Sequence, residues 1–203
     1  MKAFRRKPVR RHHARLALAR TTGNRALETS ALLNLGEVSL RQGAYQDATG
    51  QLQQAMALSR ETGNRDHEAT AFVRLGDLCR RLGRHEQAAC HLRQALVLAR
   101  ETGNRHDEAD ALNGLGEVLL GAGQPGQAHA QYAAALGLAI KIGVTYQQAR
   151  AHHGLARAHQ ATGDPGQARR HWKQALTLYT DLGAPEAERV RTQLIACEDL
   201  RKQ

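Results

Sequence analysis

Apolar and small residues in this chain follow a helical period. Leu32, Leu35, Gly36 and Ser39 fall at i, i+3, i+4 and i+7, the spacing of one helix face. The same spacing returns at Phe72, Leu75, Gly76 and Cys79, at Leu112, Leu115, Gly116 and Leu119, and at His152, Leu155, Ala156 and His159. Between these sets runs a second helical pattern. It reads Ala48, Leu52, Ala55, Leu58, then Ala88, Leu92, Ala95, Leu98, then Ala128, Tyr132, Ala135, Leu138, then Ala168, Trp172, Ala175, Leu178. The pattern predicts alternating helices, A and B, with no strands.

Glycines mark where the helices stop. Gly43, Gly83, Gly123 and Gly163 recur every 40 residues and are expected to end each helix A in a left-handed turn. Gly23, Gly63, Gly103, Gly143 and Gly183 recur at the same period and are expected to end helix B. The phrase TGNR therefore stands three times because one inter-repeat turn is built three times. Its asparagine (Asn24, Asn64, Asn104) is placed to cap the next helix A, with Glu28, Glu68 and Glu108 in the first turn. Asp164-Pro165 is a helix start of another kind, with Asp as cap and Pro at the first helical position. Gly36, Gly76 and Gly116 lie inside helices, where glycine is about 1 kcal/mol worse than alanine, so close helix contact is expected there.

A fixed period of this length is the mark of a stacked repeat array. The Leu-Gly pair of helix A, the glycine at the A-to-B turn and the Ala and Ala-Leu positions of helix B resemble the tetratricopeptide repeat. Repeats of that family usually run to about 34 residues. The 40-residue form resembles the long variant of kinesin light chains and Pins-type proteins, and the sensor arms of bacterial signal-transduction ATPases and antibiotic-pathway regulators. The resemblance covers roughly residues 11–200. It implies an all-α, right-handed superhelical solenoid of helix-turn-helix repeats whose A helices line a concave surface. The repeats are expected at 24–63, 64–103, 104–143 and 144–183, the last departing with Val144, Gln148 and Ala156 in place of Asn, Glu and Gly. Residues 11–23 read as a half-repeat holding only helix B, and 184–203 as a capping helix with Val190, Leu194, Ile195 and Cys197 facing in.

Composition narrows the function. The 203 residues are 41% hydrophobic but only 3% aromatic, which suits a thin Leu/Ala seam between helices. No apolar run approaches a membrane span, no secretory leader is visible, and the three cysteines lack a CxxC pair, so a reduced, cytoplasmic protein is expected. The net charge of +10 is concentrated at one end. Lys2, Arg5, Arg6, Lys7, Arg10, Arg11, Arg15 and Arg20 precede the first acid, Glu28. Residues 1–10, interrupted by Pro8, read as a disordered basic arm.

No phosphate loop, HExxH or GxSxG motif is present, so neither an enzyme nor a cofactor is expected. His152, His153 and His159 share a helix but lack the i, i+4 pairing and flanking acid of a metal site, so no metal is expected. His152 and His159 are expected to meet Trp172. The residues expected to carry function lie on the A helices beside the buried stripe. An acidic ladder, Glu37, Asp77 and Glu117, runs through three repeats, with Arg80, Asp110 and Asn113 on the same face. The fourth repeat reverses sign with Arg150 and Arg157, next to His153. Read as unneutralised, the ladder predicts a groove for a protein or peptide with a basic segment, whose acids would meet Arg150 or Arg157. Two other readings attach to the N-terminus. Lys2, Arg5, Arg6, Lys7, Arg10 and Arg11 could bind nucleic-acid phosphates, as in a transcriptional regulator, and the N-terminal edge could self-associate.

Overall fold

The computed structural model describes the backbone of residues 2–199 and the side chains of residues 10–197. Ten α-helices and no strands occupy the described residues: α1 Lys2–Thr21, α2 Arg25–Gln42, α3 Tyr45–Glu61, α4 Arg65–Arg81, α5 His85–Thr102, α6 Arg105–Gly121, α7 Pro125–Lys141, α8 Thr145–Ala161, α9 Pro165–Asp181 and α10 Glu186–Asp199. The chain divides into two compact units, residues 1–107 and 108–203. In the first, α1 packs on α2, α2 on α3, α3 on α4 and α4 on α5. In the second, α7 packs on α8, α8 on α9 and α9 on α10.

The turns form as the glycine spacing requires. All nine repeat-marking glycines have positive φ, from 61° at Gly183 to 80° at Gly163. In that region a Cβ crowds the following carbonyl, so a side chain would be strained even with open space around it. Each TGNR asparagine then caps its helix. The Asn24, Asn64 and Asn104 Oδ1 atoms accept from the amides of Leu27, His67 and Asp107, and Asp164 does the same for Gln167. Val144, standing where the fourth asparagine would be, makes no such bond. Removing one cap, Asn64→Ala, is expected to lower stability by about 1 kcal/mol. Equilibrium urea unfolding monitored by helicity measures it, and an unchanged midpoint would contradict the capping role.

The mid-helix glycines explain the seam. A Cβ on Gly36 would lie 2.6 Å from Leu52, one on Gly76 2.6 Å from Leu92, and one on Gly116 2.7 Å from Tyr132. The B-helix side chains at these places, Leu52, Leu92, Tyr132 and Trp172, are at most 2% exposed. Where leucine becomes tyrosine, one glycine no longer suffices. A Cβ on Gly154 of the next A helix would also overlap the Tyr132 ring. Two glycines on two helices thus accommodate one ring.

The ends depart from expectation. α1 starts at Lys2 and takes in residues 2–10, the stretch whose composition reads as a basic arm. On α10, Val190 and Cys197 are buried and Leu194 is half-buried, but Ile195 is 53% exposed. Ile195 stands one period after Leu155, which is 3% exposed and packs with Ala128 and Tyr132 of α7. The remainder of the expected capping segment, residues 200–203, lies outside the described residues.

Candidate functional site: the helix-A faces

In the first unit the ladder acids carry their own counter-ions. One Glu37 oxygen pairs with Arg41 a turn along α2, and the other with Arg74 of α4. Asp77 pairs with Arg80, and its second oxygen lies 2.8 Å from Arg81 Nε. Burial works to raise the Asp77 pKa, but Arg80 and Arg81 together outweigh it and hold the carboxyl below its ordinary value. Between these acids the face is apolar and closed. Leu33, Leu40 and Val73, which the sequence places toward the groove, are 4%, 3% and 5% exposed.

In the second unit the face is a connected polar network. The Arg150 guanidinium of α8 bridges Asp110 and Glu117 of α6, with 2.9 Å from Nη2 to Glu117 Oε1. Asp110 and Glu117 are seven residues apart, so both project from one side of α6 toward the guanidinium fork. Burial acts to lower the Arg150 pKa, but Glu117 and Asp110 more than offset it, so its charge is fixed. Asn113 is fully buried between the two acids and donates from Nδ2 to the Gln147 side chain at 2.9 Å and the Gln147 carbonyl at 3.2 Å. His153 Nε2 lies 2.7 Å from Gln193 Oε1 of α10, and the Tyr146 hydroxyl donates to Glu186 Oε1 at 2.8 Å.

The structure thus changes the electrostatics of the expected site. Glu37, Asp77 and Glu117 are each matched by arginine, so the ladder is not an unneutralised acidic strip. Arg150, expected to receive a ligand's acid, is already committed to Asp110 and Glu117. Asn113 is sealed beneath Gln147 rather than presented. Arg157 remains half-buried on α8. The local pairs were legible as Glu37-Arg41 and Asp77-Arg81 at i, i+4. The longer pairs fall outside local helix spacing, although Arg150 follows Asp110 by one period. Of the residues proposed for phosphate binding, Arg10 and Arg11 are exposed, while the side chains of Lys2, Arg5, Arg6 and Lys7 lie outside the described residues. His152 and His159 meet His171, the residue before Trp172, at ring distances of 5.2 and 5.5 Å. Among the described residues no helix is long and apolar enough to cross a membrane.

Alternating packed helices, a left-handed glycine at each turn and a Leu-Gly pair in three of the A helices define an α-helical repeat protein. The tetratricopeptide repeat family matches residues 27–101 and 107–181, and the chain belongs to that family. Solved structures agree on the fold. BtubC (BKLC) from P. vanneervenii superposes with a TM-score of 0.75 at 16% identity, over 96% of this chain and 83% of BtubC. A Rap protein solved in complex with Competence and Sporulation Factor gives 0.75 at 14% identity, over 84% of this chain but 48% of its own. The apo form of RapI gives 0.72 at 14%, over 86% of this chain and 64% of RapI. This chain thus spans about half of the first Rap protein and just under two thirds of RapI. No curated protein matches the sequence.

Proposed function

We propose that this chain is a binding module rather than an enzyme, and that it takes a protein or peptide with a basic segment on its helix-A faces as part of a regulatory or sensory system. Membership of the tetratricopeptide family supports a binding role, and a Rap protein of similar fold carries a bound factor. The observation that carries the reading is the row of fixed, half-exposed ion pairs. Side-chain exposures are 29% and 22% for Glu37 and Arg74, and 25%, 19% and 22% for Asp110, Arg150 and Glu117. A carboxylate has about four lone-pair sites, so one held by arginine still accepts from a ligand's ammonium, guanidinium or backbone amide. Its orientation is set before binding, which reduces the entropy lost on association.

The test starts from peptides selected on the full chain by display. Basic residues are expected to be enriched. Calorimetric titration of a selected peptide should then show Asp77→Lys binding about 10-fold more weakly or worse, since losing a desolvated charge contact costs about 2–5 kcal/mol. Circular dichroism controls for folding. Selected peptides without basic bias, or an unchanged affinity in folded Asp77→Lys, would reject this use of the face.

A further inference from the structure

Four histidines from three helices of the second unit converge on one seam. His171 of α9 stacks on His159 of α8, with ring centroids 5.5 Å apart and planes within 9°. His152, two turns before His159, brings its Nδ1 to 2.9 Å from the His171 Nδ1. His129 of α7 meets the His159 ring edge-on at 5.0 Å. All four are half-buried. Equivalent positions in other repeats are built differently. Leu32, Phe72 and Leu112 stand in the place of His152, and Ser39, Cys79 and Leu119 in that of His159. In the first repeat the Ser39 hydroxyl donates to Gln51 Oε1 at 2.9 Å, where the fourth repeat has His159 and His171. Among the described residues no three His, Cys, Asp or Glu side chains are arranged to hold a metal ion, so the cluster answers to protons.

We propose that the α8–α9 seam is a proton-operated joint, closed while its imidazoles are neutral and parted by acidification. Two nitrogens at 2.9 Å form a hydrogen bond only if one keeps its lone pair. When both rings are protonated, two N–H groups and two charges face each other instead. The surroundings offer little relief. His129 comes from α7, His152 and His159 from α8, and Asp164, which acts on His159, from the turn before α9; among the described residues no charged group of α10 acts on His152, His159 or His171. Burial lowers the His171 pKa first, and His152, His159 and His129 lower it further, to about 4. Burial also lowers His152 and His159. The sign follows. The unfolded chain takes up protons below its ordinary histidine value of 6.5, while the folded seam resists until about 4. Stability conferred by the neutral seam is therefore complete above 6.5, falls with pH across that window, and is exhausted near 4.

Hydrogen exchange of the intact chain at about pH 7.5 and about pH 5, corrected for intrinsic rates, tests this, with α2–α3 as the internal reference. On acidification α8–α9 is expected to lose protection about 10-fold more than α2–α3. His159→Ser with His171→Gln transplants the Ser39–Gln51 bond into the fourth repeat and should abolish the difference. His152→Leu, which restores the residue of Leu32 and Leu112, should reduce it and serves if the double variant folds poorly. Equal loss in both segments of the wild type would overturn the proposal, as would an undiminished difference in either folded variant.

Discussion

Arg150→Met is expected to destabilise the protein by about 3–5 kcal/mol, the largest single effect of any substitution considered. The guanidinium answers two carboxylates at once, Asp110 and Glu117, and its Nη1 also lies 3.4 Å from Gln147 Oε1. Methionine keeps the volume but removes every donor. Asp110 and Glu117 are then left half-buried on the same side of α6 with the bridging charge gone, while Asn113 and Gln147 lose the neighbour that orders them. Arg150→Lys should recover only part of the loss, because an ammonium is a point charge and cannot span two carboxylates as a planar fork does. Urea unfolding of the three proteins at neutral pH provides the comparison. A loss below about 1 kcal/mol in Arg150→Met would show that the bridge behaves as an exposed surface pair.

Gly154→Ala should lower stability by about 1–3 kcal/mol, although alanine is the better helix former by about 1 kcal/mol. The new methyl has no room, because the Tyr132 ring occupies its place and is itself fully buried. The sign should change with the partner. In a Tyr132→Leu background, which restores the residue found at Leu52 and Leu92, the overlap disappears and Gly154→Ala should become neutral or mildly stabilising. A double-mutant cycle from denaturant unfolding therefore predicts strong coupling between the two sites. Additive effects would mean that Gly154 is fixed by something other than the ring.

Helix order, turn chemistry and the buried seam were legible because they depend on local rules repeated at one period. A left-handed glycine, an asparagine cap and a Leu-Gly pair are each forced by backbone geometry or close contact, and each recurs in the text of the chain. The binding face was legible only in position. Which residues lie on it follows from helical spacing, but whether Asp110, Asn113 and Glu117 are free or engaged depends on Arg150 and Gln147 of another helix. The histidine cluster escaped for a related reason. His152 and His159 stand out on α8, but their partner His171 hides beside Trp172, whose bulk drew the assignment of that face. Ile195 was misplaced by its apolar character, since it is 53% exposed beside the half-buried Leu194.

In the second unit, three side-chain bonds join residues one whole period apart: Asp110 to Arg150, Tyr146 to Glu186 and His153 to Gln193. All three tie one A helix to the next, and none involves a B helix. Such ties act like stitches along one edge of a folded strip. Flexing that spreads the stitched edge must stretch all three, whereas flexing the other way strains only the contacts of α7 and α9. The second unit therefore has a preferred sense of bending, resisted by these ties together with the Arg150–Glu117 and Asn113–Gln147 bonds between the same A helices. A partner that wedged the A helices apart would work against that resistance, and one that drew them together would not.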